Sequence, residues 1–397
     1  YRRIEPKQNL RRGYVPYFLI CMKSLRLILS NPKYFAPSWV FASLNIWFGT
    51  WAIYIPTVKE QLQIDKADLG IALFCLSLGV FAIFPLAPYI INRVGVGRAT
   101  WYGVVLSSLA ALFPLVVPNY YLLMLALFMF GASNGITDIS MNTLVAEIEK
   151  KEKQNFMSAA HGFFSLGGVI AGLGSFLIPV LDSPFLHMLL IVILVFGINL
   201  YVKKHYFAIK SEPIQKEAFS FKLFNPLFLL GIIGFVAFGS EGAIVDWSGL
   251  YLKEVTFAPE AFIGAGFLAF STAMTLGRFL GDGISARIGA VNIVALGAII
   301  AAVGYVLVLT GQTHWAIIGF ALNGLGFSVI VPELFRIGGN VKGVDAAKGV
   351  SFIAGTGYLG FLMGPVILGF LAEEFSLRIS FMTLLAYVLL ILLITFS

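Results

Sequence analysis

Chemistry in this chain is carried by a few carboxyl groups set in long apolar surroundings. Most of the twenty Asp and Glu residues lie near breaks between hydrophobic runs, whereas Asp138, Glu241, Asp246 and Glu333 fall within such runs or near their ends. An ionisable group in hydrocarbon is costly unless paired, hydrated or neutralised, so each of these is a functional candidate. Asp138 follows Gly131-Ala132-Ser133-Asn134-Gly135 and precedes Asn142, and residues 131, 135, 138 and 142 share one helical face. That face offers two glycines for close helix packing, then a carboxylate one turn from an amide. No Lys or Arg is read inside a span, so Asp138 has no fixed cation and is a candidate for reversible protonation. Glu241, in Phe238-Gly239-Ser240-Glu241, is the second candidate for proton coupling. Asp246-Trp247 follows it by about 1.5 helical turns.

Other side chains could bind a solute. Trp47 and Trp51 are four residues apart with Asn45 nearby, and together with Trp247 they suit either sugar stacking or an apolar substrate; Trp39 and Trp101 read as membrane-interface residues. Asn134 and Asn142 add amides to the face of Asp138. His161, in Ala159-Ala160-His161-Gly162, could shuttle protons, bind substrate or act as an ordinary hydrogen-bonding residue. His187, His205 and His314 are dispersed and give no metal-ligand spacing. A Gly-x-x-x-x-Gly-Lys-Ser/Thr loop is missing, so ATP-driven work by this chain alone is unsupported. No cofactor, metal or catalytic residue is expected.

The elements that hold these groups must be membrane helices. Hydrophobic residues make up 59% of the 397-residue chain and charged residues 12%, half the share of an ordinary soluble domain. A net charge of +7 would suit nucleic acid only if the basic residues clustered on one folded face. They sit instead between hydrophobic runs. Runs long enough to cross a bilayer occur at roughly 38–57, 68–91, 99–117, 120–145, 158–180 and 184–202, then at 226–250, 260–282, 290–310, 313–333, 346–372 and 376–396. With an even span number and both termini cytoplasmic, 23 Lys and Arg fall inside and 4 outside (Lys59, Lys66, Lys253 and Arg378), as the positive-inside rule demands. Residues 1–37, with eight Lys and Arg, read as a cytoplasmic tail, or as an interfacial helix over 11–29 on anionic lipid. The two cysteines, Cys21 and Cys75, offer no disulfide framework.

The runs divide into a half over 38–202 and a half over 226–397, joined by a charged linker at 203–225. Asn92-Arg93-Val94-Gly95 after span 2 matches Ala286-Arg287-Ile288-Gly289 after span 8, offset by 194 residues. Gly168 and Gly172 in span 5 match Gly360 and Gly364 in span 11, offset by 192. Two nearly equal offsets on matching spans argue for a duplicated six-helix unit with substrate between the halves. The expected fold is an all-α integral membrane protein whose twelve transmembrane helices form two pseudo-symmetric six-helix bundles.

At these residues the chain resembles the major facilitator superfamily, whose marker is a Gly-x-x-x-Asp-Arg-x-Gly-type loop after span 2, repeated loosely after span 8. Here the first copy carries Pro88, Asn92, Arg93 and Gly95, and the second region carries Gly277, Arg278, Asp282, Arg287 and Gly289. The resemblance implies gating latches at Arg93, Arg278, Asp282 and Arg287, with Asn92 standing where the family has a carboxylate. It also implies that spans 1, 4, 7 and 10 line a central cavity. Asp138-x-x-x-Asn142 is similar to the Glu-x-x-x-Asn of the fucose/proton symporter branch, which ties Asp138 to proton coupling. That branch carries another acid four residues before the proline ending span 1, where this chain has Ala52 before Pro56, so Glu241 is recruited in its place.

The expected function is therefore secondary active transport of a sugar-like or other small organic solute, coupled to protons, by a monomer among membrane lipids in the cytoplasmic membrane. Proton-driven efflux of amphipathic compounds is the alternative, although span 4 lacks the Arg common in the family's drug/proton antiporters. A lipid-modifying membrane enzyme would want His, Asp and Glu clustered at one membrane face, and the polar residues are too thinly spread.

Overall fold

The computed structural model describes residues 25–154, 156–210, 224–338, 340–341 and 346–396. Most of the interfacial reading over 11–29, Cys21 and residues 211–223 of the expected linker lie outside the described residues. Within them, twelve long helices follow one another: α1 Pro32–Leu62, α2 Lys66–Ile83, α3 Val96–Ala110, α4 Tyr120–Glu152, α5 Met157–Gly174, α6 Pro184–Val202, α7 Phe224–Glu254, α8 Ala265–Ile288, α9 Ala290–Val308, α10 Thr313–Gly338, α11 Ala346–Glu374 and α12 Leu377–Phe396. A two-turn helix, Ala87–Val94, lies between α2 and α3.

By length and composition, eleven helical stretches can cross a membrane, and α1 falls outside that set. Its Trp, Tyr, Ser, Asn and Thr residues dilute its hydropathy, yet it is buried along most of its length. The polar groups are satisfied within the bundle. Ser38, Ser43 and Thr50 donate to carbonyls one turn back at 2.8, 2.6 and 2.7 Å, and Asn45 donates to the Phe164 carbonyl of α5 at 2.9 Å. A helix enclosed by other helices needs no lipid-facing apolar belt.

Two of the short breaks between hydrophobic runs become helix caps. Asn119 accepts from Leu122 N at 3.0 Å to start α4, and Ser183 accepts from Leu186 N at 3.2 Å to start α6. These tight connections make neighbouring helices antiparallel.

The two halves pack alike. Helix α1 packs on α5 as α7 does on α11; α2 packs on α4 as α8 does on α10; and α3 packs on α4 as α9 does on α10. Contacts between the halves also come in a matched pair, α2 with α11 and α5 with α8. The duplication extends to the backbone at the Arg-x-Gly matches. Gly95 has φ 88° and ψ 148°, Gly289 has φ 86° and ψ 158°, and each joins the end of one helix to the start of the next. Only glycine occupies that region cheaply.

No heavy atom lies within 4 Å of a Cβ built on Gly289, so strain at that position is backbone strain alone. Gly289→Ala should cost about 1–3 kcal/mol, read as a lowered unfolding temperature of the purified protein in detergent. An unchanged melting curve would contradict the shared joint.

Candidate functional site

A cavity of about 760 Å³ lies between the halves. Its walls come from α1 and α7 (Leu44, Phe48, Phe238 and Glu241), from α4 and α10 (Asn134, Asp138, Met141, Ser328, Glu333 and Arg336 among them), and from α2, α5, α8 and α11. Read along each helix, the lining runs from mid-helix toward the end of the bundle where α1 begins. The opposite end is held shut. There Lys59 of α1 and Lys66 of α2 both pair with Glu254 of α7 at 3.2 Å, and Lys253 of α7 pairs with Glu60 of α1 at 2.6 Å. Lys66 N also donates to the Glu373 carboxylate of α11 at 3.0 Å. Beside these pairs the backbones of α2 and α11 touch at Gly70 and Gly369, and α5 meets α8 at Gly172 and Leu268, where any side chain on the glycines would collide. Thus three of the four cations read as outside residues tie one half to the other.

Asp138 reaches the lining because α2 and α4 pack closely. Gly131 lies against the Leu76 carbonyl and Gly135 against Val80 and Ile83, so both glycines serve helix packing, and Gly135 also borders the cavity. Asn142 donates to the Asp138 carboxylate at 3.2 Å and to its backbone carbonyl at 2.9 Å. Among the described residues no Lys or Arg pairs with Asp138. Tyr358 of α11 faces the same space, within electrostatic reach of that carboxylate.

Glu241 has a different setting, and here the sequence reading is corrected. Arg278 was expected in a loop-side latch, with no basic residue inside a span. Helix α8 continues to Ile288, which puts Arg278 about 15 Å before its end. Its guanidinium lies 3.7 Å from the Glu241 carboxylate of α7 and donates to Ser165 Oγ of α5 at 2.8 Å. One cation in the bundle interior thereby links α5, α7 and α8. Glu333 is buried and paired with Arg336 at 2.9 Å, and Arg336 also donates to Ser285 Oγ of α8.

The structure brings Asn134, Asp138, His161, Glu241 and Arg278 to one cavity. The His161 ring stands edge-on to Phe41 at 4.9 Å. Asn45, Trp47, Trp51, Asn142, Asp246 and Trp247 are not part of the lining: Asn45 ties α1 to α5, and the three tryptophans are fully buried. Arg93 is exposed and donates to Tyr89 at 3.3 Å, Arg287 is exposed at the end of α8, and the side chain of Asp282 lies outside the described residues. Sequence reasoning did not pick out the rings of Phe81, Phe238 and Tyr358, brought together from α2, α7 and α11 with centroid separations of 6.2 Å and 5.9 Å to Tyr358. Nothing in an apolar run marks one phenylalanine as cavity-facing. Among the described residues no group of three His, Cys, Asp or Glu could hold a metal.

The profile of the Major Facilitator Superfamily matches residues 39–338. The chain belongs to this superfamily. It is 33% identical over 350 residues to an uncharacterised MFS-type transporter of Yersinia pestis, covering 86% of this chain and 89% of the relative. The quinolone resistance protein NorA of Staphylococcus aureus is 23% identical over 337 residues, 80% of this chain and 84% of NorA. Among solved structures the nucleoside transporter NupG superposes with a TM-score of 0.70 at 12% identity, over 92% of this chain and 98% of NupG, a likeness of fold. The protein is thus a multi-pass membrane protein of a transporter superfamily.

If Arg278 neutralises Glu241, the two positions must be coupled energetically. Arg278→Met alone should destabilise the protein, and the double variant with Glu241→Gln should recover part of the loss. The coupling energy expected is about 0.5–3 kcal/mol, measured as a double-mutant cycle of thermal stability in detergent. Additive effects would mean that the pair does not interact.

Proposed function

We propose that this chain is a secondary active transporter that moves a small organic solute across the cytoplasmic membrane by alternating access, coupled to protons through Asp138. Both termini are assigned to the cytoplasmic side, a reading supported by the basic residues: with Arg278 set aside in the bundle interior, 22 of the 23 remain on that side against four on the other. The cavity then faces the cytoplasm, and the Lys59, Lys66 and Glu254 cluster is the outer clamp. The observation that carries the reading is the inter-half cavity, bordered by a carboxyl that no described Lys or Arg pairs with, the described ion pairs between the halves all lying at one end. Partly exposed ion pairs are worth about 0–1 kcal/mol each, so such a clamp can open within the energy that a solute and a proton supply. Both walls come from one chain, which is consistent with a working monomer.

Asp138 serves as the proton carrier. Glu241 acts as a second titrating group whose charge Arg278 holds in the present conformation. The tie to the fucose/proton symporter branch rests on Asp138-x-x-x-Asn142. Export of amphipathic compounds, the second reading, is favoured by the mostly apolar and aromatic lining and by the relationship to a quinolone resistance protein.

Two outcomes follow. In proteoliposomes screened against a solute panel under an imposed pH gradient, Asp138→Asn should abolish gradient-driven accumulation. Full accumulation by that variant would overturn the coupling assignment. Glu254→Gln, which removes the shared partner of Lys59 and Lys66, should shift spin-label distances between Gln61 and Phe257 toward longer values. An unchanged distribution would remove the clamp from the account.

A further inference from the structure

The side chains lining the cavity include three acids, Asp138, Glu241 and Glu333, and two bases, Arg278 and Arg336. Both bases are engaged, Arg278 by Glu241 and Arg336 by Glu333. What is left is one negative charge, at Asp138. An anionic solute would meet that charge with no uncommitted base in the described lining. The hydroxyls of Ser77 and Ser328 donate to the backbone carbonyls of Phe361 and Leu325, which leaves Asn134, His161 and Tyr358 as the neutral polar groups of the lining. One turn from Asp138 the buried Oδ1 of Asn134 has no hydrogen-bond partner, a second acceptor beside the carboxylate. The rings are the remaining resource. Phe81, Phe238 and Tyr358 form a wall in the same cavity as the carboxylate. Aromatic faces attract cations by about 0.5–2 kcal/mol, and a buried carboxylate lacking a partner gains most from a ligand that supplies one.

The geometry points to a monovalent organic cation with an apolar or aromatic body as the ligand of this cavity, its charge on Asp138 and its body against the Phe81, Phe238 and Tyr358 wall. This rests on the reading of Asp138 as the protonatable group, and it sharpens that reading. Proton and cation compete for one carboxyl, so binding one releases the other. The cycle is then an exchange: a proton leaves Asp138 as the cation arrives, and the carboxyl carries one positive charge in each direction. Symport of this cargo with a proton on Asp138 is excluded by the same competition.

The other charged or titratable groups around Asp138 are Tyr358 from α11, His161 from α5, the Glu241–Arg278 pair from α7 and α8, and the Glu333–Arg336 pair from α10. Helices α1 and α2 contribute only Leu44, Phe48, Leu76, Ser77, Val80 and Phe81 to the lining, and Arg93 on the short helix Ala87–Val94 is bonded to Tyr89. A pH dependence that arises at Asp138 must therefore vanish with Asp138.

The test is equilibrium binding of radiolabelled tetraphenylphosphonium and of ethidium to the purified full chain in detergent, from acid to alkaline pH. For the wild type we expect saturable binding of at least one cation, tightening up to tenfold per pH unit until the carboxyl is fully ionised. Asp138→Asn should weaken binding at least tenfold and flatten the pH profile, while Asp138→Glu should keep both saturable binding and the profile. Failure of the wild type to bind either cation at any pH would overturn the inference, as would a wild-type affinity independent of pH or Asp138→Asn binding as tightly as the wild type. In those cases, proton-driven movement of an uncharged solute that Asp138→Asn abolishes would leave the proposed transport function standing without this cargo.

Discussion

A charge placed in hydrocarbon must find a partner, a proton or water, and that constraint organises the middle of this protein. Glu241 and Arg278 meet each other, and Arg278 reaches on to Ser165, so that α5, α7 and α8 share one polar junction. Glu333 and Arg336 make a second junction, joined to α8 through Ser285. Among the described residues Asp138 has the amide of Asn142 as its side-chain partner. The functional reading grows from that difference: two acids are held by cations within the protein, while for the third, with no partner among the described Lys and Arg, the positive charge comes from a proton or a ligand.

The helices reach this arrangement through close backbone approach and through symmetry. Glycine contacts let α2 lie on α4 and bring α2 to α11 and α5 to α8 at the clamped end. Exchanging the halves turns the α2–α11 contact into the α8–α5 contact, so both seams are built on one plan. A duplicated unit therefore supplies a joint on each side of the cavity. The ion pairs at the clamped end are partly exposed and individually weak. Charge pairs in mid-bundle and partly exposed pairs at the rim together suit a protein that rocks without losing its core.

Much of the fold was legible in the sequence. The hydrophobic runs and the Arg-x-Gly repeat correspond to observed features, since each is a local consequence of residue type. Helix α1 was found as a run even though its polar side chains take it below the hydropathy of the other spans, because its burial satisfies them internally. Of the site, Asp138, Glu241, His161 and Asn134 were singled out because polar residues in apolar runs stand out. Arg278 was noticed for its motif and misplaced, since the end of α8 is not marked in the sequence until Gly289. The aromatic wall was invisible: which of 37 phenylalanines faces a cavity depends on helix rotation and on partners far away in the chain.

The central claim is that Asp138 itself changes protonation state in the working protein. Infrared difference spectroscopy of the reconstituted protein, recorded as pH is lowered, observes that event without any need to know the solute. The account predicts that one component of the protonated-carboxyl band, growing on acidification in the wild type, is lost in Asp138→Asn while the components from the other carboxyls remain. The same band persisting undiminished in Asp138→Asn would contradict it.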